Sequence, residues 1–149
     1  DGFTEPRVSM IKAWLNRYTR NIQTTEKEIQ VSLDENNHNI GYCLGRLFAV
    51  LEKAQEEAHG RSTNSTIRSR YYGAASTMPI TVFPTLLKLK NHHLAKLENR
   101  GRATNFEKLI GVVLAPITDF PSTLTLADQG RFAIGYYHQR QNFFTKQES

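Results

Sequence analysis

Apolar residues recur along this chain at intervals of three and four, the period of a helix that buries one face. Over 5–20 the face is Val8, Ile11, Trp14, Leu15 and Tyr18. Residues 21–39 break the period. Ile29, Val31 and Leu33 alternate weakly, and the stretch ends in Asp34-Glu35-Asn36-Asn37. That predicts a surface connection with at most one short extended piece. Helical spacing resumes over 40–59, where Leu44, Leu47, Phe48 and Leu51 form the stripe. Asn39 is placed to cap this helix, and Gly60 to end it in a left-handed conformation. Gly41 and Gly45 are poor helix formers, so their use is the close approach of another helix.

A further helix is predicted to run from a cap at Asn64 or Ser65 through residue 78, stopped by Pro79, which lacks the N–H a helix needs. Ile67, Tyr71, Ala74 and Met78 share its spacing. The next covers 81–99, with Pro84 tolerable only in its first turn. Its apolar arc is Val82, Phe83, Leu86, Leu87, Leu89, His93, Leu94 and Leu97. Arg100-Gly101-Arg102 reads as a turn, followed by a helix over 105–114 closed by Pro116. The segment 116–121 is a tight connector. A last helix begins near Thr125, where Thr125 and Asp128 resemble a capping box with Asp in place of Glu. Its predicted apolar face is Leu126, Phe132, Ala133, Tyr136, Tyr137, Phe143 and Phe144. Together these segments predict an all-α fold, a helical bundle of five to six helices in a single domain over 1–149, with 21–39 as a surface connection.

Composition agrees with a packed domain: 149 residues, 39% hydrophobic and 22% charged. Cys43 is the only cysteine and lies in an apolar stretch, which predicts a buried structural thiol in a reducing compartment. No apolar run nears the roughly 20 residues a membrane span needs, and the first residues lack the apolar core of a signal peptide. A cytoplasmic protein is expected. Asn64-Ser65-Thr66 matches a glycosylation acceptor, set aside because no secretion signal accompanies it. The chain opens on Asp1-Gly2 and its first methionine is Met10, so a trimmed product or a piece of a longer protein is expected.

Charge changes the picture more. Between residues 61 and 102 lie eight Lys or Arg residues and one acid, Glu98, a net of +7 in a chain whose total is +5. Within the predicted 81–99 helix and its end, Lys88, His92, Lys96 and Arg100 step at i+4 and form a basic stripe. Lys90 points into the apolar arc, where it either snorkels or meets a neighbouring subunit. Five of the eight cations are Arg, and Arg68-Ser69-Arg70-Tyr71-Tyr72 puts aromatics among them. Guanidinium forks match phosphate oxygens, and tyrosine rings stack on bases. The candidates for nucleic-acid contact are therefore Arg68, Arg70, Lys88, Lys96, Arg100 and Arg102 for phosphates, Arg61, Lys90 and His92 as lesser contributors, and Tyr72 for stacking. Tyr71 and Tyr72 fit a core position equally well.

Other chemistry finds little support. None of His38, His59, His92, His93 and His138 is spaced i, i+4 from another, and no HExxH or cysteine cluster exists, so no metal site is expected. His93 reads as a hydrogen-bonded core histidine. No GxSxG motif or phosphate-cradling glycine loop occurs, so neither a catalytic residue nor a cofactor is expected. Glu26, Glu28, Asp34, Glu35, Glu52, Glu56 and Glu57 read as a solvated acidic face or a dock for a basic neighbour. The absence of a helix-turn-helix or zinc-finger signature favours contact with the nucleic-acid backbone over sequence reading.

Three stretches carry a family resemblance. They are NIGYCLGRLFAVLE (39–52); TIRSRYYGAAS (66–76) with VFP (82–84) and HHL (92–94); and DQGR (128–131) with GYYHQRQ (135–141) and FFTK (143–146). In order and spacing they resemble the C-terminal region of the large subunit of type I-C CRISPR Cascade, and GYYHQRQ with FFTK is the most specific part. That region is similar to the Cascade small subunit, a helical bundle that can be made separately from an internal start.

The resemblance implies a non-catalytic subunit of an RNA-guided DNA-surveillance assembly, in which small subunits help hold the guide–target duplex and the displaced strand. Its implied partners are CRISPR RNA, target DNA, the backbone and large subunits and a second copy of the same chain, with no membrane. Sequence reading delegated to base pairing suits a protein with basic backbone contacts and no reading helix. Two other readings remain: a structural subunit that binds only protein, and a free-standing helical DNA-binding regulator.

Overall fold

In the computed structural model of the protein, residues 32–60 and 67–148 are described here. The chain divides after Val31, and all of these residues belong to the second of its two units. The predicted 5–20 helix, Arg61, and the caps at Asn64 and Ser65 lie outside them. The described residues are all-α. Helices α1 (Ile40–His59), α2 (Ile67–Thr77), α3 (Phe83–Ala95), α4 (Arg100–Leu114) and α5 (Leu126–Glu148) are joined by short links, with a 3₁₀ turn at Pro79–Thr81. No strand occurs among the described residues, including 32–39.

Helix α1 is the centre, buried on every side from Gly41 to Ala54. It starts where Asn39 accepts a hydrogen bond from the Tyr42 N–H, and stops at Gly60. Gly60 has φ +77° and ψ 171°, so it keeps the positive φ expected of a terminating glycine but is extended in ψ rather than left-handed helical.

Helix α5 packs chiefly on α1 and also touches α2. Gly41 lies against Asp128 and Gly45 against Phe132, so the two helices run parallel. Asn39 donates to Asp128 at 3.3 Å, Tyr42 Oη meets His138 Nδ1 at 3.0 Å, Arg46 donates to Gln139 at 3.0 Å, and Tyr136 Oη donates to Glu52 at 2.7 Å. Arg140 then bridges Glu52 and Glu56. The axes approach so closely because glycines line the seam. A Cβ on Gly41 would press on the carbonyl of Asp128, one on Gly45 on the carbonyl of Phe132, and one on Gly135 on the carbonyl of Tyr42. The close approach expected of Gly41 and Gly45 is thus observed, and Gly135 supplies its counterpart on α5.

This seam corrects the apolar face predicted for the last helix. Phe132 and Tyr136 are buried and Phe143 is partly buried, but Leu126 (84% exposed), Ala133 and Tyr137 face outward, and Phe144 is partly exposed with its ring beside Lys53 of α1 and Arg140. Gly135, His138 and Gln139 take the inner positions. A contact made through glycine and paired polar groups is invisible to hydrophobic periodicity.

Helix α2 closes the aromatic core. Tyr72 sits 5.5, 5.4 and 5.3 Å from the rings of Phe48, Phe132 and Tyr136, each edge-on, a favourable aromatic geometry. Helices α3 and α4 pack on α1 and on each other through Phe83, Leu86, Leu94, Phe106, Ile110 and Val113. Met78, which shares the helical spacing of Ile67 and Ala74, is exposed. Segment 115–125 is tied to the α2–α3 link by Ile80 N–H to the Pro121 carbonyl and Leu124 N–H to that of Thr77. Its Phe120 stacks on Phe83 at 5.4 Å.

The boundary predicted between the fourth and fifth helices moves. Helix α3 ends at Ala95 rather than 99, and Arg100-Gly101-Arg102 is the first turn of α4 instead of a free turn. The cause is Asn99, whose side chain accepts from the Arg102 N–H and starts α4 early.

The glycine seam sets a stability test. Gly45→Ala should destabilise the chain by about 3 kcal/mol, because the methyl meets rigid backbone. Gly130→Ala, whose added methyl meets nothing within 4 Å, should instead stabilise α5 by about 1 kcal/mol. Urea unfolding of both variants checks the contrast, and similar effects at the two sites would contradict a glycine-dependent seam.

Candidate nucleic-acid interface

The cations of 61–102 divide by what their side chains meet. Three are used inside the fold. The Arg100 guanidinium donates to the Leu94 carbonyl at 2.7 Å and to that of Leu97, closing the C-terminal end of α3 from the first turn of α4. It therefore does not continue the i+4 stripe expected from Lys88, His92 and Lys96. Arg102 makes a two-pronged ion pair with Glu57, joining α4 to α1, and this hydrogen bond holds its guanidinium more firmly protonated than usual. Lys90 lies mostly covered and reaches Glu107 at 3.2 Å, the snorkelling option of the two foreseen.

Arg68, Arg70, Lys88 and Lys96 differ. All four are exposed, and none pairs with a carboxylate among the described residues. Arg68 and Arg70 leave α2 and Lys88 leaves α3, with Lys96 at its C-cap. The Arg68 guanidinium lies 5.6 Å from the centre of the Tyr136 ring, and that of Arg70 5.6 Å from that of Tyr71. Such ring contacts restrain a long side chain while leaving its N–H donors available to an anion. His92 is exposed on α3.

Tyr72 is committed to packing. Burial raises its hydroxyl pKa, partly offset by Arg68, and three rings surround it. Tyr71 is the neighbour that lies beside an exposed guanidinium. Lys108, exposed on α4 and without a carboxylate partner among the described residues, was not among the sequence candidates because it falls outside the dense basic run.

The acidic face also reads differently in three dimensions. Glu52 is buried and takes Tyr136 and Arg140, Glu56 takes Arg140, and Glu57 takes Arg102. These carboxylates neutralise cations of their own chain. Burial pushes the Tyr136 hydroxyl up to about 12, so it stays a donor to Glu52 at all ordinary pH. Arg131 holds the Asp128 carboxyl low, with Asn39 and Thr125 contributing hydrogen bonds. Thr125 accepts from the Asp128 N–H at 3.1 Å, as the capping-box reading requires.

The chain matches the family of the CRISPR-associated protein Cas_Csd1 over residues 1–144. It belongs to that family. No curated protein matches it. Membership makes this a CRISPR-associated protein and agrees with the Cascade resemblance of its motifs. Within this Cas_Csd1 chain, GYYHQRQ is a packing motif. Gly135, Tyr136, His138, Gln139 and Arg140 all face α1, and only Tyr137 and Gln141 are exposed. Among the described residues no three His, Cys, Asp or Glu side chains gather as a metal site, and no helix is long and apolar enough to cross a membrane.

Three imidazoles make the fold sensitive to acid. Burial lowers the pKa of His59, His93 and His138 below the ordinary histidine value, with Lys96 and His92 adding to the effect at His59 and His93. Unfolded, these rings take a proton near pH 6.5, where the folded ones resist it. Their contribution to stability is therefore complete above about pH 6.5 and is lost as pH falls through the lower folded values. The urea midpoint should drop between about pH 7.5 and about pH 5.5, and His93→Gln should flatten the drop. An equally steep drop in that variant would remove His93 from the account.

Proposed function

We propose that the chain acts as a non-catalytic small-subunit component of type I-C Cascade, in the cytoplasm, binding nucleic-acid backbone while the guide RNA–target DNA duplex forms and the other DNA strand is displaced. The observation that carries this reading is the contrast among its cations. Arg68, Arg70, Lys88 and Lys96 stay exposed and have no carboxylate partner among the described residues, although Glu52, Glu56 and Glu57 neutralise other arginines of the same chain. A surface that leaves guanidinium and ammonium groups in water suits phosphates, whose neutralisation releases condensed counterions. Such contacts position a strand without reading its bases. Strand exchange in R-loop formation is nearly balanced, so a few of them suffice to tip it. CRISPR RNA, target DNA, the backbone and large subunits and a second copy of the chain are the partners of this reading.

A second reading, an assembly subunit that contacts only protein, draws on the outer side of α5. Leu126, Ile134 and Tyr137 are all exposed there, a composition suited to a protein neighbour.

The two separate in the guide-loaded assembly. The Arg68→Ala, Arg70→Ala, Lys88→Ala, Lys96→Ala quadruple variant should assemble normally and bind target DNA more weakly. The slope of log K against log salt should be shallower by roughly 0.7 for each lost single-strand contact, about 3 for all four. An unchanged slope with normal assembly would refute backbone contact by these residues and leave the assembly reading.

A further inference from the structure

The last turn of α1 meets the end of α3 through two imidazoles. His59 Nε2 and His93 Nδ1 lie 3.0 Å apart, with the rings perpendicular and their centres 5.0 Å apart. His93 is buried, and its second nitrogen, Nε2, has no hydrogen-bond partner among the described residues. The ring of exposed His92 is 6.2 Å from that of His93. Among the described residues the other charges acting on the pair are cationic, from Lys96 and His92. Glu57, the nearest carboxylate in sequence on α1, is held by Arg102 of α4, and Glu98 after α3 is exposed and without an ion pair among the described residues.

This geometry admits one proton and no more. A bare buried lone pair is better tolerated than a bare buried N–H. The neutral pair therefore has His93 Nδ1–H donating to His59 Nε2, with the lone pair of His93 on its unpartnered side. One added proton reverses the bond: His59, now an imidazolium, donates Nε2–H to His93 Nδ1, and the proton His93 held on Nδ1 is carried on its buried Nε2, whose unpartnered N–H opposes the uptake. A second would place hydrogens on both facing nitrogens and break the contact.

We infer that the His59–His93 pair makes phosphate binding at the Lys96–His92 edge proton-linked, with up to one proton taken up as a nucleic-acid backbone docks. The inference rests on the backbone-binding reading above. Burial is the main cause that keeps the pair neutral, and the charges of Lys96 and His92 add to it; phosphate seated against those two offsets their share and so raises the pair's proton affinity. By reciprocity, a proton on the pair strengthens phosphate binding by the same factor. Affinity for a strand thereby follows local pH as well as salt.

The test uses the full chain with a short oligothymidylate at fixed ionic strength. Fluorescence anisotropy between about pH 8 and about pH 5.5 should show affinity rising as pH falls, by at most about tenfold per pH unit for one linked proton. Calorimetry in two buffers of different ionisation enthalpy should count a fractional proton uptake of up to one. His59→Gln, which retains His92 and Lys96, should lose most of that uptake. In the unaltered chain, NMR titration of the His59 and His93 ring protons should move to higher pH when the oligonucleotide is present. Binding without proton uptake, uptake that persists in His59→Gln, or imidazole titrations indifferent to the oligonucleotide would overturn the linkage alone. Absence of binding at every pH by a folded chain would overturn the backbone reading and the linkage with it.

Discussion

The approach of α5 to α1 is the constraint on which the bundle depends. Gly41, Gly45 and Gly135 bring backbone against backbone, and at that separation only small or paired groups fit between the axes. The large residues Phe48, Phe132, Tyr136 and Tyr72 are displaced to the flank of the seam, where α2 completes their cluster. The polar groups that remain inside are matched: Tyr42 with His138, Arg46 with Gln139, Glu52 with Tyr136 and Arg140. Removing one member of such a pair leaves the other buried and unsatisfied, which costs more than the bond itself is worth. Glycine spacing and polar pairing thus specify the register of the two helices together.

Charge is divided between scaffold and surface. Arg46, Arg100, Arg102 and Arg140 bond to a side-chain amide, backbone carbonyls or carboxylates within the chain. Arg68, Arg70, Lys88 and Lys96 remain on the outside. Residue type does not separate the two groups, since arginine serves in both. What separates them is whether a carboxylate, a side-chain amide or an open helix end lies within reach, and that is a property of the fold.

That difference explains how much the sequence revealed. Helical spacing was enough to place α1 from its cap at Asn39 to Gly60, and Pro84 marked the start of α3. The stripe of Leu44, Leu47, Phe48 and Leu51 was legible because it is a conventional apolar face. The inner face of α5 was not, because Gly135, His138 and Gln139 earn their positions through α1, far away in sequence. The basic run was visible as composition, but the roles of Arg100 and Arg102 were not. One depends on where α3 ends, and the other on Glu57, 45 residues earlier. His93 could be read as a core histidine, whereas its partner His59 emerges only from the crossing of α1 and α3.

The parallel pairing of α1 with α5 also bears on how the molecule is made. The residues that bond across the seam are 84 to 96 positions apart. Local helix formation can begin on α1 as soon as it leaves the ribosome, but its glycine groove has no occupant until most of the bundle has been synthesised. Closing so long a loop carries an entropic cost that only the completed seam repays. During that interval the nascent chain presents both a bare glycine strip and unpaired Arg46 and Glu52, so the order of synthesis makes α5 the element that commits the fold.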